Sequence, residues 1–243
     1  MIKQFKPISL PHNIDAPLCR YLSHLKLKSL LEKKSIYFCR ADLFSDSLEG
    51  TLSTPTILNR PEFFEGATDH WINVTMPLMD SQTRKCVYAS CWHNNETESP
   101  KMWHKYSDMG KGLMIKSSLN RIRNSIQDIE TEFLVNPVRY INHKKDYISD
   151  ANSFYAFFHK SKLFEYEREL RFALIKNFEK IGQPNFDSTV LEKGIFVPVD
   201  TNLLIEKIVL NPEAPDEIKA ETYVLLKKHK LTDRLERSST GFF

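Results

Sequence analysis

Two glutamates one residue apart give the clearest chemical pattern in this chain. They lie in Glu165-Tyr166-Glu167-Arg168-Glu169-Leu170-Arg171-Phe172. An extended backbone there puts Glu167, Glu169 and Arg171 on one face. Carboxylates about 7 Å apart along a strand can divide labour. One stays ionised and stabilises a developing cation, while the other handles a proton. Arg171 on the same face would hold them charged. The alternative is a solvated edge strand dressed with ion pairs, each worth little.

A second concentration runs from Tyr88 to Ile115. It holds Ser90, Cys91, Trp92, His93, Glu98, Trp103, His104 and Tyr106, including two of the three tryptophans. Large rings supply shape and area to a ligand pocket, and a few polar groups fix orientation. Ser90, Trp92 and His93 fall where a strand leaves a sheet, which suits a pocket. Met102 and Trp103 suit a core equally well. Arg20-Tyr21 forms a third set. An arginine inside an apolar strand seeks a carboxylate or a phosphate, unless it faces outward. Asp46 and Glu49 are a weaker pair that lines a pocket or caps an element. His143-Lys144-Lys145 reads as a solvated loop.

The elements that must position these groups follow from composition and period. With 243 residues, 41% hydrophobic and 27% charged, one domain over 1–243 can bury a sizeable core. The net charge of +3 neither announces nor repels a polyanion. Seven glycines form no G-x-G-x-x-G and no phosphate-binding loop. Cys19, Cys39, Cys86 and Cys91 make no C-x-x-C pair, and no metal is expected. No signal-like or membrane-spanning run occurs, so the expectation is a soluble cytoplasmic protein with no membrane contact.

Residues 1–16 read as an irregular lead-in. Strands are expected over 18–22, 35–38, 87–92, 112–116, 135–141, 169–175, 194–199 and 205–210. Helices are expected over 25–33, 120–130, 153–164 and 213–228. A further helix opens at Ser99-Pro100, an N-cap followed by proline at the first helical position. Residues 51–80, with three prolines, read as an irregular insertion with one helix near 62–64. No regular β-α alternation appears. The fold class is therefore α+β: a single mixed domain with a central, mostly antiparallel sheet flanked by helices.

On Arg20-Tyr21, Phe44-Ser45-Asp46-Ser47-Leu48-Glu49, Ser90-Cys91-Trp92, Met102-Trp103-His104-Lys105-Tyr106, Gly110 and Gly112, Lys160, and Tyr166–Arg171, the chain resembles bacterial domain-of-unknown-function family 2971. The likeness spans about residues 17–212. Serine stands at two positions of the acidic block where that family carries asparagine and proline, and the family name supplies no activity. The order Arg20, Ser90, Glu167-x-Glu169 also resembles ADP-ribosyltransferases of the arginine-serine-glutamate type. That second resemblance implies an ADP-ribosyltransferase-like fold and cleavage of the nicotinamide–ribose bond of NAD. It assigns catalysis to Glu169 and Glu167. Binding of NAD falls to Arg20, Tyr21, Ser90, Trp92 and Tyr106. It further implies an acceptor that is protein, nucleic acid or water, and a toxin or phage-defence setting with an antitoxin or defence-system partner. Two other readings stay open: a non-catalytic nucleotide- or peptide-binding module, and a metal-dependent nuclease built on Asp46, Glu49, Glu167, Glu169 and Lys160.

Overall fold

The computed structural model describes residues 2–3, 13–106, 108, 110–128 and 130–238. Its first elements are β1 (Ile2–Lys3), β2 (Pro17–Ser23), α1 (His24–Lys33) and β3 (Ser35–Arg40). A helical stretch follows with α2 (Thr54–Leu58), α3 (Arg60–Phe63), a π-helical turn at Trp71–Thr75, and α4 (Met76–Cys86). The middle of the chain forms β4 (Val87–Asn94), α5 (Pro100–Tyr106), β5 (Gly112–Ser118), α6 (Leu119–Ser125), β6 (Phe133–Pro137) and β7 (Arg139–Ile141). It ends with β8 (His159–Ser161), β9 (Glu169–Ile175), β10 (Gly194–Pro198), α7 (Thr201–Leu204), β11 (Lys207–Leu210), α8 (Asp216–Lys228) and β12 (Leu235–Arg237). The expected fold class is the one observed. A ten-stranded sheet runs β1-β6-β9-β4-β2-β5-β11-β12, with β3 and β10 attached beside β4. Among the described residues only β1/β6 and β11/β12 pair in parallel within it.

One feature of the topology makes the site. β9 occupies one edge of β4 along its whole length, from Val87↔Ile175 to His93↔Glu169. The other edge is shared. β2 takes its far end at Cys19↔His93, and β3 takes its near end at Cys39↔Ala89. Between those contacts the sheet forks, and among the described residues no strand lies beside the edge of β4 around residues 90–92.

The main core lies on one face of the sheet. There Leu18, Tyr88, Trp92, Ile115 and Phe172 pack against Leu27 and Leu31 of α1, Ile122 of α6 and Leu226 of α8. The opposite face carries two smaller apolar clusters. One joins Cys19, Tyr21, Met102, Trp103 and Met114, and the other joins Ala41, Ala89, Phe157 and Ala173. Polar groups of β4 and β9 continue that face beyond Ala89 and Ala173.

Three expectations are corrected. Residues 51–80 are largely helical because Pro55, Pro61 and Pro77 each stand in a first turn. A proline there gives up no needed hydrogen bond and starts a helix rather than breaking one. Arg60 ties this segment down through Asp80 and Asp150, each at 2.7 Å. The expected helix over 153–164 is instead a 3-10 turn (Tyr155–Phe158), then β8, then a second 3-10 stretch (Lys162–Glu167). Phe157 and Phe158 are core residues there, but not at helical spacing. The expected strand 135–141 is two strands in different sheets, β6 and β7. Of the lead-in, residues 2–3 pair with Phe133 and Leu134, and 4–12 lie outside the described residues.

Gly50 shows how tightly the acidic block is seated. Its φ is +71°, and a Cβ there would fall 2.5 Å from Cε1 of Phe157. Gly50→Ala therefore combines backbone strain with a ring clash. We expect a loss of about 2–4 kcal/mol in a denaturant titration. An unchanged midpoint would mean that the Phe157 ring moves freely.

Candidate active site

The fork opens into a cavity of about 560 Å³ lined from both faces of the sheet. That volume lies within the roughly 300–1,000 Å³ common for small-molecule sites. β2 contributes Arg20, β3 contributes Tyr37 and Cys39, and β4 contributes Cys91, Trp92 and His93. Glu49, Lys160, Glu167 and Glu169 form its charged side.

Arg20 shares its side of the sheet with Leu18 and Leu22 by strand alternation. Its guanidinium reaches into the fork, where Nη2 donates to the Tyr37 carbonyl at 3.2 Å. It also lies 5.6 Å from the centroid of the Trp92 ring. No carboxylate pairs with it among the described residues; the groups that act on its charge are Cys91 and Cys39. Burial pushes its pKa down. A half-buried cation without a counter-charge is a site poised for an anion.

The carboxylate side is already neutralised. Lys160 Nζ donates to Glu49 at 2.8 Å, Glu167 at 2.5 Å and Glu169 at 2.7 Å. Arg171 Nη2 holds Glu169 at 2.7 Å and Glu49 at 3.0 Å, while its Nη1 donates to the Phe157 carbonyl at 2.6 Å. Lys105 and the Tyr106 hydroxyl complete Glu167 at 2.7 and 2.8 Å. Three carboxylates (Glu49, Glu167, Glu169) thus meet three cations (Lys105, Lys160, Arg171). Burial alone would raise the Glu169 pKa, but Arg171 and Lys160 outweigh it and hold the group well below the usual carboxylate range. Burial works against charge on Lys160 too, and Glu169 and Glu49 more than restore it. Burial, reinforced by Glu167, raises the Tyr106 hydroxyl, which stays a donor.

The local backbone explains how the E-x-E pair meets. Glu167 ends a 3-10 stretch, Arg168 follows at φ 39°, and Glu169 starts β9. The pair is not extended as expected, yet both side chains clamp Lys160 across the kink. β9 lies between β4 and β6, so the solvated edge-strand alternative is excluded. Lys160 sits in β8, beside β7, and Tyr140 of β7 accepts from the Glu169 backbone N–H at 2.8 Å.

Most sequence-assigned site residues converge here. Arg20, Tyr21, Trp92, Tyr106, Glu167 and Glu169 all line the cavity. The Tyr21 hydroxyl accepts from the Ser99 N–H at 2.9 Å, so it also fastens the start of α5. Ser90 is the correction. It stands opposite Phe172 in the ladder and shares the main-core side with Tyr88 and Trp92, outside the cavity lining. Strand alternation puts Cys91 in the place assigned to Ser90. Glu49, half of the weaker acidic pair, joins the cluster, while Asp46 caps the Leu48 N–H at 3.0 Å. Of the set named for a nuclease, Glu49, Glu167 and Glu169 meet on the Lys160 ammonium, and Asp46 does not line the cavity. Among the described residues no group of three or more His, Cys, Asp or Glu side chains is placed to hold a metal ion. Lys105, Tyr37 and Cys39 went unassigned in the sequence. Only their strand and helix positions bring them in.

His143 is also corrected. It is buried rather than solvated, and neither ring nitrogen has a partner among the described residues. Burial lowers the pKa of His143, His93 and His159 alike. Each folded pKa lies below the unfolded value of about 6.5. As pH falls, the unfolded chain takes up protons first, so stability present above about pH 6.5 is lost below it. We expect Tm to fall between pH 7 and 5, and His143→Phe to remove part of that slope. A flat Tm over this range would contradict buried neutral histidines.

The fold and site define an α+β domain with a ligand-sized cavity in a forked sheet. No family model matches the chain, and no curated protein matches it. Among solved structures it is similar to DarT of Thermus sp. 2.9. The complex with ADP-ribosylated single-stranded DNA aligns over 94% of this chain and 96% of that one, at 12% identity and a TM-score of 0.40. The complex with carba-NAD+ aligns over the same shares at 13% identity and a TM-score of 0.37. Overlaps this loose carry no argument about activity. Among the described residues no helix is long and apolar enough to cross a membrane.

Proposed function

We propose that the protein cleaves the nicotinamide–ribose bond of NAD and passes the ADP-ribosyl group to an acceptor. The observation that carries this reading is one cavity holding an arginine with no carboxylate partner among the described residues and a glutamate that Arg171 and Lys160 favour in its ionised form. Arg20 binds the diphosphate, for which its missing counter-charge fits it. Bond cleavage builds positive charge on the ribose, and Glu169 stabilises that charge as it develops. Glu167, held by Lys105 and Tyr106, orients the acceptor. Trp92 and Tyr106 supply ring surface for the nicotinamide. Ser90 has no part in this scheme. The toxin or phage-defence setting follows only from the ADP-ribosyltransferase resemblance.

The experiment is NAD consumption by the purified protein, with labelled NAD to follow transfer onto protein and nucleic acid. Arg20-dependent loss of NAD supports the enzyme. No loss, with extract present, leaves a nucleotide-binding module that does not turn over. The three-against-three charge balance favours that second reading, because Lys160 and Arg171 offset the field of Glu169.

A further inference from the structure

The rim of the cavity carries a surface that NAD cleavage does not use. α1 exposes Lys26, Lys28 and Lys33, and Lys34 follows as its left-handed C-cap. Its one acidic residue, Glu32, faces Lys228 at 3.6 Å. Lys227, Lys228 and Lys230, at the end of α8, are exposed as well. Lys34 and Lys228 both lower the pKa of His229, so the two groups of lysines adjoin. Lys26 also lines the cavity, which places the basic ridge at its mouth.

Beside that ridge lies an aromatic platform. Tyr37 and Phe196 line the cavity and are 37% and 40% exposed. Their centroids are 5.1 Å apart with the ring planes tilted by 54°, and Lys33 Nζ covers one face of Phe196 at 3.7 Å from its centroid, which leaves Tyr37 as the ring open to a partner. The platform depends on a glycine. Gly194 pairs with Cys39, and a Cβ there would fall 2.1 Å from Cζ and Oη of Tyr37. Only a residue without a side chain lets the Tyr37 ring lie across β10.

We propose that this face docks a single-stranded nucleic acid, with its phosphates along α1 and the end of α8 and an unpaired base on the exposed Tyr37 ring. Lysines tracking a backbone beside flat, exposed rings are the arrangement that binds unpaired strands. A duplex offers no free base face, and an acidic peptide offers no ring to stack. The proposal rests on the NAD reading only in making the strand the acceptor. Docking itself needs no NAD.

The test is fluorescence anisotropy with a labelled single strand of about 12 nucleotides and its duplex, without NAD. The single strand should bind more tightly than the duplex, with affinity falling as salt rises. Lys28→Glu/Lys33→Glu should reduce the salt slope by about 1.4, at ~0.7 per phosphate contact. Tyr37→Ala should weaken binding roughly tenfold and keep the slope, and Gly194→Ala should do the same by displacing the ring. If Gly194→Ala does not fold, Tyr37→Ala decides. No binding at low salt, equal binding of the duplex, or an unaffected Tyr37→Ala overturns the proposal. Strand binding without NAD consumption sinks the enzymatic reading alone. NAD consumption without strand binding sinks this one alone and turns the acceptor search to proteins.

Discussion

Arg171→Met will destabilise the protein by about 3–5 kcal/mol, the cost of breaking a buried charge network on one side. Arg171 is 1% exposed and holds Glu49, Glu169 and the Phe157 carbonyl together. Methionine fills much of its volume but leaves three carboxylates against two cations. That loss is a large part of a stability of roughly 5–15 kcal/mol. A denaturant titration measures it. The double variant Glu49→Gln/Arg171→Met restores the count and should recover part of the loss, since the excess charge is then gone. If the double variant is no better than the sum of its parts, the network is not coupled as the distances imply.

Arg20→Met and Glu169→Gln will separate binding from catalysis. Arg20 makes no carboxylate pair among the described residues, so methionine should leave the fold unharmed. It should raise KM for NAD about 10–100-fold, the loss of one charge-assisted contact, with kcat less affected. Glu169→Gln removes charge needed as the ribose turns cationic. It should lower kcat by about 100- to 1,000-fold. The same change releases one charge from Lys160 and Arg171, so the variant will also lose stability. Its folded state must be confirmed by circular dichroism at the assay temperature. A folded Glu169→Gln protein with full turnover removes the residue from catalysis, and an Arg20→Met protein with an unchanged KM removes the diphosphate site.

Much of the site was written in local sequence. Arg20 in an apolar strand, the Tyr88–Ile115 aromatics, and the shared fate of Glu167, Glu169 and Arg171 follow from residue type and short spacing. So does Ser99 as a helix start, because a hydroxyl facing free N–H groups is a local event. The α+β class followed from the order of periods along the chain. What the sequence could not decide was parity and partnership. Ser90 and Cys91 are adjacent, and one step of register sends one into the core and the other into the cavity. Lys160 lies nine residues from Glu169 in the chain, whereas Glu49 lies 122 residues from its partner Arg171. Only the sheet brings Glu49 to that cluster. The prolines of 51–80 misled because proline opens a helix as readily as it ends one, and only packing tells which. The fork itself is wholly tertiary: it exists because β2 and β3 compete for one edge of β4, a non-local pairing that no window of sequence records.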